Sequence, residues 1–461
     1  MRLRFFPGTR YWVPGTGYFE MLSPSRTAAF DILMRVEQGA FADELLHSGR
    51  LGKLSAADRA LCTEIVMGVL RWRSQLDELI GLWSQTAPAK LDLEVATALR
   101  MGAYQLTHLE RVPAHAAVDQ TVEMVKRAGR RFSAPMVNAI MRKIAKARPA
   151  PPRLDHAESL DQIASATAHP LWLLERWSAE YGLDAVQQIA RHDQEVPVPT
   201  LRLRDPKAGS DLLNEGVELA PGALVSGARR VTSGDVTKTR VFAEGRAYLQ
   251  DEASQLVALL VGHGARILDC CAAPGGKTAV IAERNPSSLV IATELHAARA
   301  RLTRRLVRAP NVFVVAGNAE ALPLVPNFGR ILADVSCSGT GTLGRNPEIK
   351  WRVRLEDLSD LHRRQTAILR AALSCLVPGG RLVYSTCSLE REENEDVVAE
   401  ATAGRNDLRL LDCREQLQRL RQEGEVVWDD LNSLVRGKFL RTLPGLHPCD
   451  GFFAAMIESR Q

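Results

Sequence analysis

Strand-like and helical segments alternate along the C-terminal half of this 461-residue chain, and this alternation constrains its fold more than any other feature. From residue 246 onward, short runs rich in apolar and β-branched residues recur, and helical patterns separate most of them. Repeated βα units of this kind predict a doubly wound, mostly parallel α/β sheet that binds ligands at the carboxyl ends of its strands. The predicted strands span residues 266–269, 289–293, 312–316, 330–334, 381–385 and 452–457.

The first third of the chain has a helical pattern instead. Apolar residues recur at helical spacing, as in Leu61, Ile65 and Val69, which predicts an all-helical domain over residues 22–148. Its helices are expected at residues 26–48, 56–83, 92–107, 114–128 and 134–147.

A proline-rich segment, Pro-Ala-Pro-Pro at residues 149–152, then interrupts the helical pattern. It opens a predicted linker, residues 149–165. Two helical patterns and several short strand-like pieces predict a small α+β subdomain over residues 166–245, followed by the α/β domain over residues 246–461.

Charge and cysteine usage narrow the class of protein. The net charge is only +5, but residues 126–148 contain eight basic side chains and no acidic one, and five arginines lie between Arg299 and Arg308. Local basic faces suit a phosphate backbone, although a solvated helix face gives the same pattern. No apolar run approaches the length of a membrane span, no signal peptide is evident, and the eight cysteines form no CxxC pair. A cytoplasmic protein with free thiols is expected.

The strongest local motif runs from Ile267 to Thr278, where a strand ends at Asp269 and a loop of small residues opens a helix. Such a loop lets a ligand approach the backbone, and the amides at a helix N-terminus favour a carboxylate or phosphate. A nucleotide-triphosphate loop is excluded because Cys271 stands where its first glycine is needed and Pro274 removes an amide.

Two cysteines follow later strands of the predicted sheet. Asp334 and Cys337 lie on a glycine-rich loop after one strand, and Cys387 lies in a Thr-Cys-Ser sequence after another. Either cysteine alone is more typical of a buried structural thiol, but both beside a ligand loop suggest nucleophilic catalysis. A thiolate that adds to C6 of cytosine makes C5 able to attack a methyl group, and an acid near N3 stabilises the developing charge. Spacing alone does not rank the two thiols.

In these motifs the sequence closely resembles the Sun/Fmu family of RNA cytosine-5 methyltransferases, from about Met21 to the end of the chain. Residues 1–20 have no counterpart, so residues 1–21 are expected to be an extra segment, with Met21 as the start. The resemblance implies that Cys387 is the nucleophile, that Cys337 aids product release and that Asp334 contacts the base. It implies an S-adenosylmethionine site made of Cys271, Ala272, Ala273, Pro274, Gly275, Gly276, Lys277, Glu294 at the ribose, Asn318 at the adenine, and Asp334.

The helical domain resembles the fold of the antitermination factor NusB, most clearly at residues 117–123 and 136–140. The expected architecture is therefore a Rossmann-like methyltransferase preceded by a small α+β subdomain and a NusB-like domain. This combination implies the bacterial small-subunit rRNA subgroup, with 16S rRNA as partner, no metal, no membrane association and a monomeric state. The residues expected to bind RNA are Arg130, Arg131, Arg142, Lys143, Arg345 and Lys350.

Other functions are compatible with parts of this pattern. A non-catalytic rRNA-binding assembly factor would keep the fold but not need Cys387, which is present. A methyltransferase could act on another RNA, such as tRNA. A DNA cytosine methyltransferase would use Cys337, on the Asp334 loop, as its nucleophile.

Overall fold

A computed structural model describes residues 22–47, 49–149, 154–325 and 327–460. The predicted extra segment, residues 1–21, lies outside the described residues. The chain divides at residues 151–152 into two compact units. The predicted small α+β subdomain and α/β domain together form the second of these units.

The N-terminal unit is helical, as the apolar spacing predicts. Its central helix α5 is buried from Val95 to Leu106 and packs against α3, α4, α6 and α7. The predicted helix 26–48 is interrupted after Glu37, because Gly39 adopts a left-handed conformation with φ +102°. The helices are α1 (Pro24–Glu37), α2 (Ala42–Leu46), α3 (Ala56–Arg71), α4 (Arg73–Ser84), α5 (Leu93–His108), α6 (Ala114–Arg127) and α7 (Ala134–Ala147).

The C-terminal unit begins with three helices and a small antiparallel sheet. The helices are α8 (Leu160–Thr167), α9 (Leu171–Tyr181) and α10 (Leu183–His192). The sheet has the strand order β2-β3-β1-β4, and β4 lies beyond residue 245, where the small subdomain was predicted to end. Its elements are β1 (Thr200–Leu203), α11 (Ala208–Asn214), β2 (Glu218–Pro221), β3 (Ala228–Ser233), α12 (Arg240–Ala243) and β4 (Ala247–Leu249).

The remainder forms the predicted α/β sheet. Its elements are α13 (Glu252–Leu260), β5 (Arg266–Asp269), α14 (Gly276–Arg284), β6 (Leu289–Glu294), α15 (Ala297–Val307), β7 (Val312–Ala316), β8 (Phe328–Asp334), α16 (Ile349–Arg352), α17 (Asp357–Ser374), β9 (Leu376–Thr386), α18 (Glu395–Thr402), β10 (Leu408–Leu411), α19 (Cys413–Gln422), β11 (Val435–Arg436), β12 (Phe439–Thr442) and β13 (Phe452–Ser459).

All six predicted strands are present in this sheet, whose order is β11-β12-β13-β9-β8-β5-β6-β7, with β10 also paired to β13. Strands β7, β6, β5, β8 and β9 are parallel, and β13 is antiparallel to β9. Helix α14 covers one face of the sheet and α17 the other. Because β5, β8 and β9 are adjacent and parallel, the loops after them meet at one edge, where ligands bind in such folds.

None of the helices in the described part of the chain is long and apolar enough to cross a membrane.

Candidate active site

The two predicted cysteines meet at the carboxyl edge of the sheet. Asp334 of β8 pairs in register with Ser385 of β9, so the loops that follow these strands run side by side. The Sγ atoms of Cys337 and Cys387 lie 3.3 Å apart, and both side chains are half-buried. The structure thus brings together the two thiols that the sequence placed on separate strand-end loops.

Asp334 joins this pair to the ligand loop. One of its carboxylate oxygens accepts a 2.7 Å hydrogen bond from the Ser385 hydroxyl. The other lies 2.7 Å from Nζ of Lys277, which comes from the first turn of α14 and lies over the Phe452 ring. Burial lowers the pKa of Lys277, but the negative charges of Asp334 and Cys387 and the hydrogen bond to Asp334 outweigh it, so the pKa lies above its usual value. The ammonium therefore stays charged, within electrostatic range of the Cys387 sulfur.

The two thiols have different surroundings. The hydrogen bond to Cys387 raises the pKa of Cys337 well above its usual value, and burial and the negative charge of Glu393 raise it further. Cys337 therefore keeps its proton and can donate it in a hydrogen bond to the sulfur of Cys387. This difference between the thiols could not be read from their spacing.

A buried carboxylate that the sequence analysis missed holds the two cysteine loops together. Glu393 accepts hydrogen bonds from the Ser338 backbone amide at 2.8 Å and from Nε2 of Gln365 at 2.9 Å. The hydroxyls of Ser338 and Ser388 also donate to it. These serines directly follow the two cysteines, so a single carboxylate fixes both loops. The repeated Cys-Ser dipeptide was the sequence signal that could have revealed it.

A glycine contact adds a third segment to the site. The amide of Gly341 donates to the Cys387 carbonyl at 2.9 Å, and its own carbonyl accepts from the Gly451 amide at 2.7 Å. A Cβ atom at Gly341 would lie 2.2 Å from the Gly451 carbonyl oxygen, so only glycine fits this approach.

Arg345 is held by two carboxylates near this contact. Its Nε lies 3.0 Å from Asp450, and a terminal nitrogen lies 3.1 Å from Asp251. Burial and the charge of Asp251 raise the pKa of Asp450 to about 7, although Arg345 opposes the shift. Arg345, which the sequence analysis predicted to bind RNA, is therefore already engaged inside the protein.

The ligand loop and its two predicted partners follow three neighbouring strands, β5, β6 and β7. Gly275 has φ +112°, and a Cβ there would lie 2.6 Å from Val307. Glu294 is buried and accepts from the His296 amide at 3.0 Å, and Asn318 accepts from the Glu320 amide at 2.9 Å. All of these residues therefore line the same carboxyl edge as the cysteines.

The prediction that Lys350 binds RNA is wrong. Its side chain is buried, with only 2% of the residue exposed, and its Nζ donates to the Ala168 carbonyl at 3.0 Å. Lys350 therefore connects α16 to the turn between α8 and α9 and cannot reach a nucleic acid.

The remaining predicted RNA contacts lie on the helical unit. Arg131, Arg142 and Lys143 are exposed, and Lys143 lies over the Trp83 ring. Arg130 is half-buried and forms ion pairs with Glu94 at 3.2 Å and Asp92 at 3.4 Å. Three of these four cations are therefore available at the surface.

Two family models match the chain. One described as 16S rRNA methyltransferase RsmB/F matches residues 256–458, and one described as the NusB family matches residues 23–146. The C-terminal match includes both cysteines and the ligand loop. The N-terminal match covers the helical unit.

Relatives match over almost their whole length. The probable ribosomal RNA small subunit methyltransferase B of Bacillus subtilis is 32% identical over 94% of this chain and 98% of its own. The ribosomal RNA small subunit methyltransferase B of Xanthomonas campestris is 31% identical over 94% of this chain and 96% of its own. A solved structure named PH0851 has the same fold, with a TM-score of 0.78 and 20% identity, over 94% of this chain and 98% of that one.

The Glu393 contacts give a first prediction. Glu393→Ala leaves the Ser338 amide and two hydroxyls without their buried acceptor, so we expect the free energy of unfolding to fall by about 2–4 kcal/mol. Urea denaturation followed by circular dichroism measures this change. Iodoacetamide labelling mapped by mass spectrometry should show both cysteines reacting faster.

The matched control is Glu392→Ala, which removes a more exposed carboxylate that pairs with Arg176. We expect it to change stability by less than about 1 kcal/mol. Equal effects of the two variants would show that Glu393 does not brace the cysteine loops.

Proposed function

Because the chain belongs to the RsmB/F family of 16S rRNA methyltransferases, we propose that it transfers the methyl group of S-adenosylmethionine to C5 of a cytosine in 16S rRNA. The observation that carries this proposal is the pair of thiols 3.3 Å apart beside the Lys277–Asp334 ion pair, at the edge where the ligand loop opens. Cytosine C5 is a poor nucleophile, and its activation needs a thiol that adds to the ring, with a fixed cation beside it.

The ligand loop fits S-adenosylmethionine. Gly275 and Gly276 open α14, whose first amides have no partner within the helix and favour a carboxylate. The nearest atoms to a Cβ at Gly276 belong to the Gln250 side chain, at 3.4 Å, so the glycine leaves room above the backbone. Cys271 to Lys277 would hold the cofactor, with Glu294 accepting from the ribose and Asn318 from the adenine. When bound, the cofactor supplies an electrophilic methyl group.

The residues of the chain divide the remaining chemistry. The Cys387 sulfur adds to C6 of a cytosine that has left its base stack, and Asp334 contacts the ring near N3. Lys277 balances the negative charge at the sulfur and at Asp334. After methyl transfer to C5, a solvent base takes the C5 proton, the C–H electrons restore the C5–C6 double bond, and the C6–S bond breaks to return the thiolate of Cys387. Cys337, which keeps its proton, hydrogen-bonds to the departing sulfur and aids release of the product.

The alternatives predict different outcomes. Bisulfite sequencing of rRNA and tRNA from a strain that lacks the gene should show one cytosine of 16S rRNA losing its methyl group. Loss from a tRNA would favour the other RNA substrate, and no loss would favour a non-catalytic assembly factor.

We propose the cytoplasm as the place of the reaction and a monomer as its active form.

The two thiols should give opposite results when each is removed. Cys387→Ala should be inactive and form no adduct, because the nucleophile is absent. Cys337→Ala should methylate and then stall, giving an enzyme–RNA species that survives denaturing electrophoresis. A gel of both variants with 16S rRNA and S-adenosylmethionine tests this order. If Cys387→Ala gave a trapped complex and Cys337→Ala gave none, the roles of the two cysteines would be exchanged, which would favour the DNA-type mechanism.

The ligand loop gives a cofactor prediction. Gly276→Val places branched carbons where the cofactor must approach, so we expect at least a tenfold loss of affinity for S-adenosylmethionine, measured by calorimetry. The fold should persist, because the nearest neighbour is the Gln250 side chain, which can move. Gly329→Val, which has no neighbour within 4 Å at its Cβ, is the control. Unchanged affinity in Gly276→Val would remove this loop from the cofactor site.

The helical unit gives an RNA-binding prediction. Replacing Arg131, Arg142 and Lys143 by glutamine should weaken binding of 16S rRNA and reduce its salt dependence, because each exposed cation displaces counterions from a phosphate. Arg130→Gln alone should have a smaller effect, since Arg130 is already paired with Glu94. Fluorescence anisotropy at several KCl concentrations measures both effects. An unchanged affinity and salt slope in the triple variant would assign this surface to another partner.

A further inference from the structure

Helix α15 carries the arginines Arg301, Arg304 and Arg305, and Arg308 follows them as the left-handed C-cap; these four residues are here called the α15 arginine stripe. The first three follow the spacing i, i+3, i+4, which places side chains on one side of a helix. Ala300, Thr303 and Val307 are the buried residues of the helix, and all four arginines are exposed. The helix is thus amphipathic, with a surface made largely of guanidinium groups.

The charge of this stripe is not neutralised within the C-terminal unit. Across the ranges that the structure describes, no carboxylate lies within ion-pair distance of Arg301, Arg304 or Arg305. Arg308 donates to the backbone carbonyls of Glu244 and Arg305, which do not cancel its charge. Arg299 differs, because it lies 3.9 Å from Glu294.

Three uncompensated cations on one helix face destabilise the helix. Like charges three or four residues apart on a helix repel each other, and α15 contains two such pairs, 301–304 and 301–305. The helix dipole favours the two arginines in the last turn but not Arg301. A bound polyanion would remove this repulsion.

The spacing of the arginines suits the phosphates of a nucleic acid. The helix begins just after Glu294, at the edge of the sheet that carries the cysteines, and runs away from it. From Arg301 to Arg305 the helix rises about 6 Å, at roughly 1.5 Å per residue. This length matches about two phosphates of one strand, at about 3.4 Å each along a nucleic-acid axis. Guanidinium groups pair with phosphate through two parallel hydrogen bonds.

We propose that the α15 arginine stripe binds the phosphate backbone of the substrate RNA, as an RNA contact separate from the helical unit. This inference rests on the proposed RNA methyltransferase function. The stripe holds the RNA backbone outside the active site and takes no part in the chemical step. It should therefore affect RNA affinity and leave cofactor binding and the maximal rate unchanged.

The test variant is Arg301→Gln, Arg304→Gln and Arg305→Gln together. Arg308 is kept because its hydrogen bonds hold the Glu244 turn. Glutamine is a good helix former, and the variant loses like-charge repulsion, so its thermal midpoint at low salt should equal or exceed that of the parent.

The matched control removes three other exposed arginines, Arg405→Gln, Arg409→Gln and Arg421→Gln. Each of these is paired with a carboxylate, and Arg409 lies opposite Glu458, at the end of β13 remote from the cysteines. The control loses the same number of positive charges, so it separates a local surface from an effect of net charge.

The probe is 16S rRNA transcribed in vitro. Its binding is followed by fluorescence anisotropy from about 50 to about 300 mM KCl, a range over which phosphate contacts weaken measurably. At 0.1 M KCl we expect the stripe variant to bind roughly 10- to 100-fold more weakly, with a salt slope smaller by about 2, since each phosphate contact contributes about 0.7. KM for RNA should rise, while kcat at saturating RNA and the Kd for S-adenosylmethionine stay unchanged. The control should match the parent.

Two failures are distinguishable. If the parent protein neither binds nor methylates 16S rRNA, the proposed function fails before any variant is compared. If the parent is active and the stripe variant keeps the affinity and salt slope of the control, the stripe is a solvated helix face and this inference is overturned.

Discussion

The site depends on one buried carboxylate, Glu393, which accepts four hydrogen bonds from groups that surround the cysteines. A carboxylate is costly to bury unless such bonds replace its hydration. Two of the bonds come from Ser338 and one from Ser388, so satisfying the carboxylate also places Cys337 next to Cys387. The close approach of Gly341 to Gly451 then fixes the same loops from the other side. Side-chain packing alone would not specify a distance between two sulfur atoms so narrowly.

A second interaction couples the ligand loop to these cysteines. Lys277 is the last residue of the proposed cofactor loop, and its ammonium pairs with Asp334, the proposed base contact. The ion pair is largely buried, so its strength is little reduced by solvent. Movement of the ligand loop would therefore change the charge beside Cys387. The Lys277–Asp334 ion pair therefore links the proposed cofactor site to the proposed cytosine site.

Elements with a periodic pattern were predicted correctly, and those set by distant contacts were not. The six strands predicted from apolar runs are all present, whereas β10, β11 and β12 were missed because they have only two to four residues and pair at the edge of the sheet. The convergence of Cys337 and Cys387 followed from parallel strand order. Glu393 was missed because its role depends on residues as far away as Ser338. Lys350 was predicted to bind RNA. Its burial could not be predicted, because it depends on Ala168, which lies 182 residues away in the sequence.

The surroundings of the two thiols support the order of their roles. The hydrogen bond to Cys387 raises the pKa of Cys337, and burial and the negative charge of Glu393 raise it further, so ionisation of Cys337 is opposed. Lys277, a positive charge, interacts with the sulfur of Cys387 instead. A thiolate is the reactive form of a cysteine, so a neighbouring cation suits the nucleophile proposed here. The DNA-type order would require Cys337 to ionise although its hydrogen bond to Cys387, its burial and the nearby carboxylate all oppose it. The surroundings of Cys337 therefore argue for its proposed role in product release rather than for a role as the nucleophile.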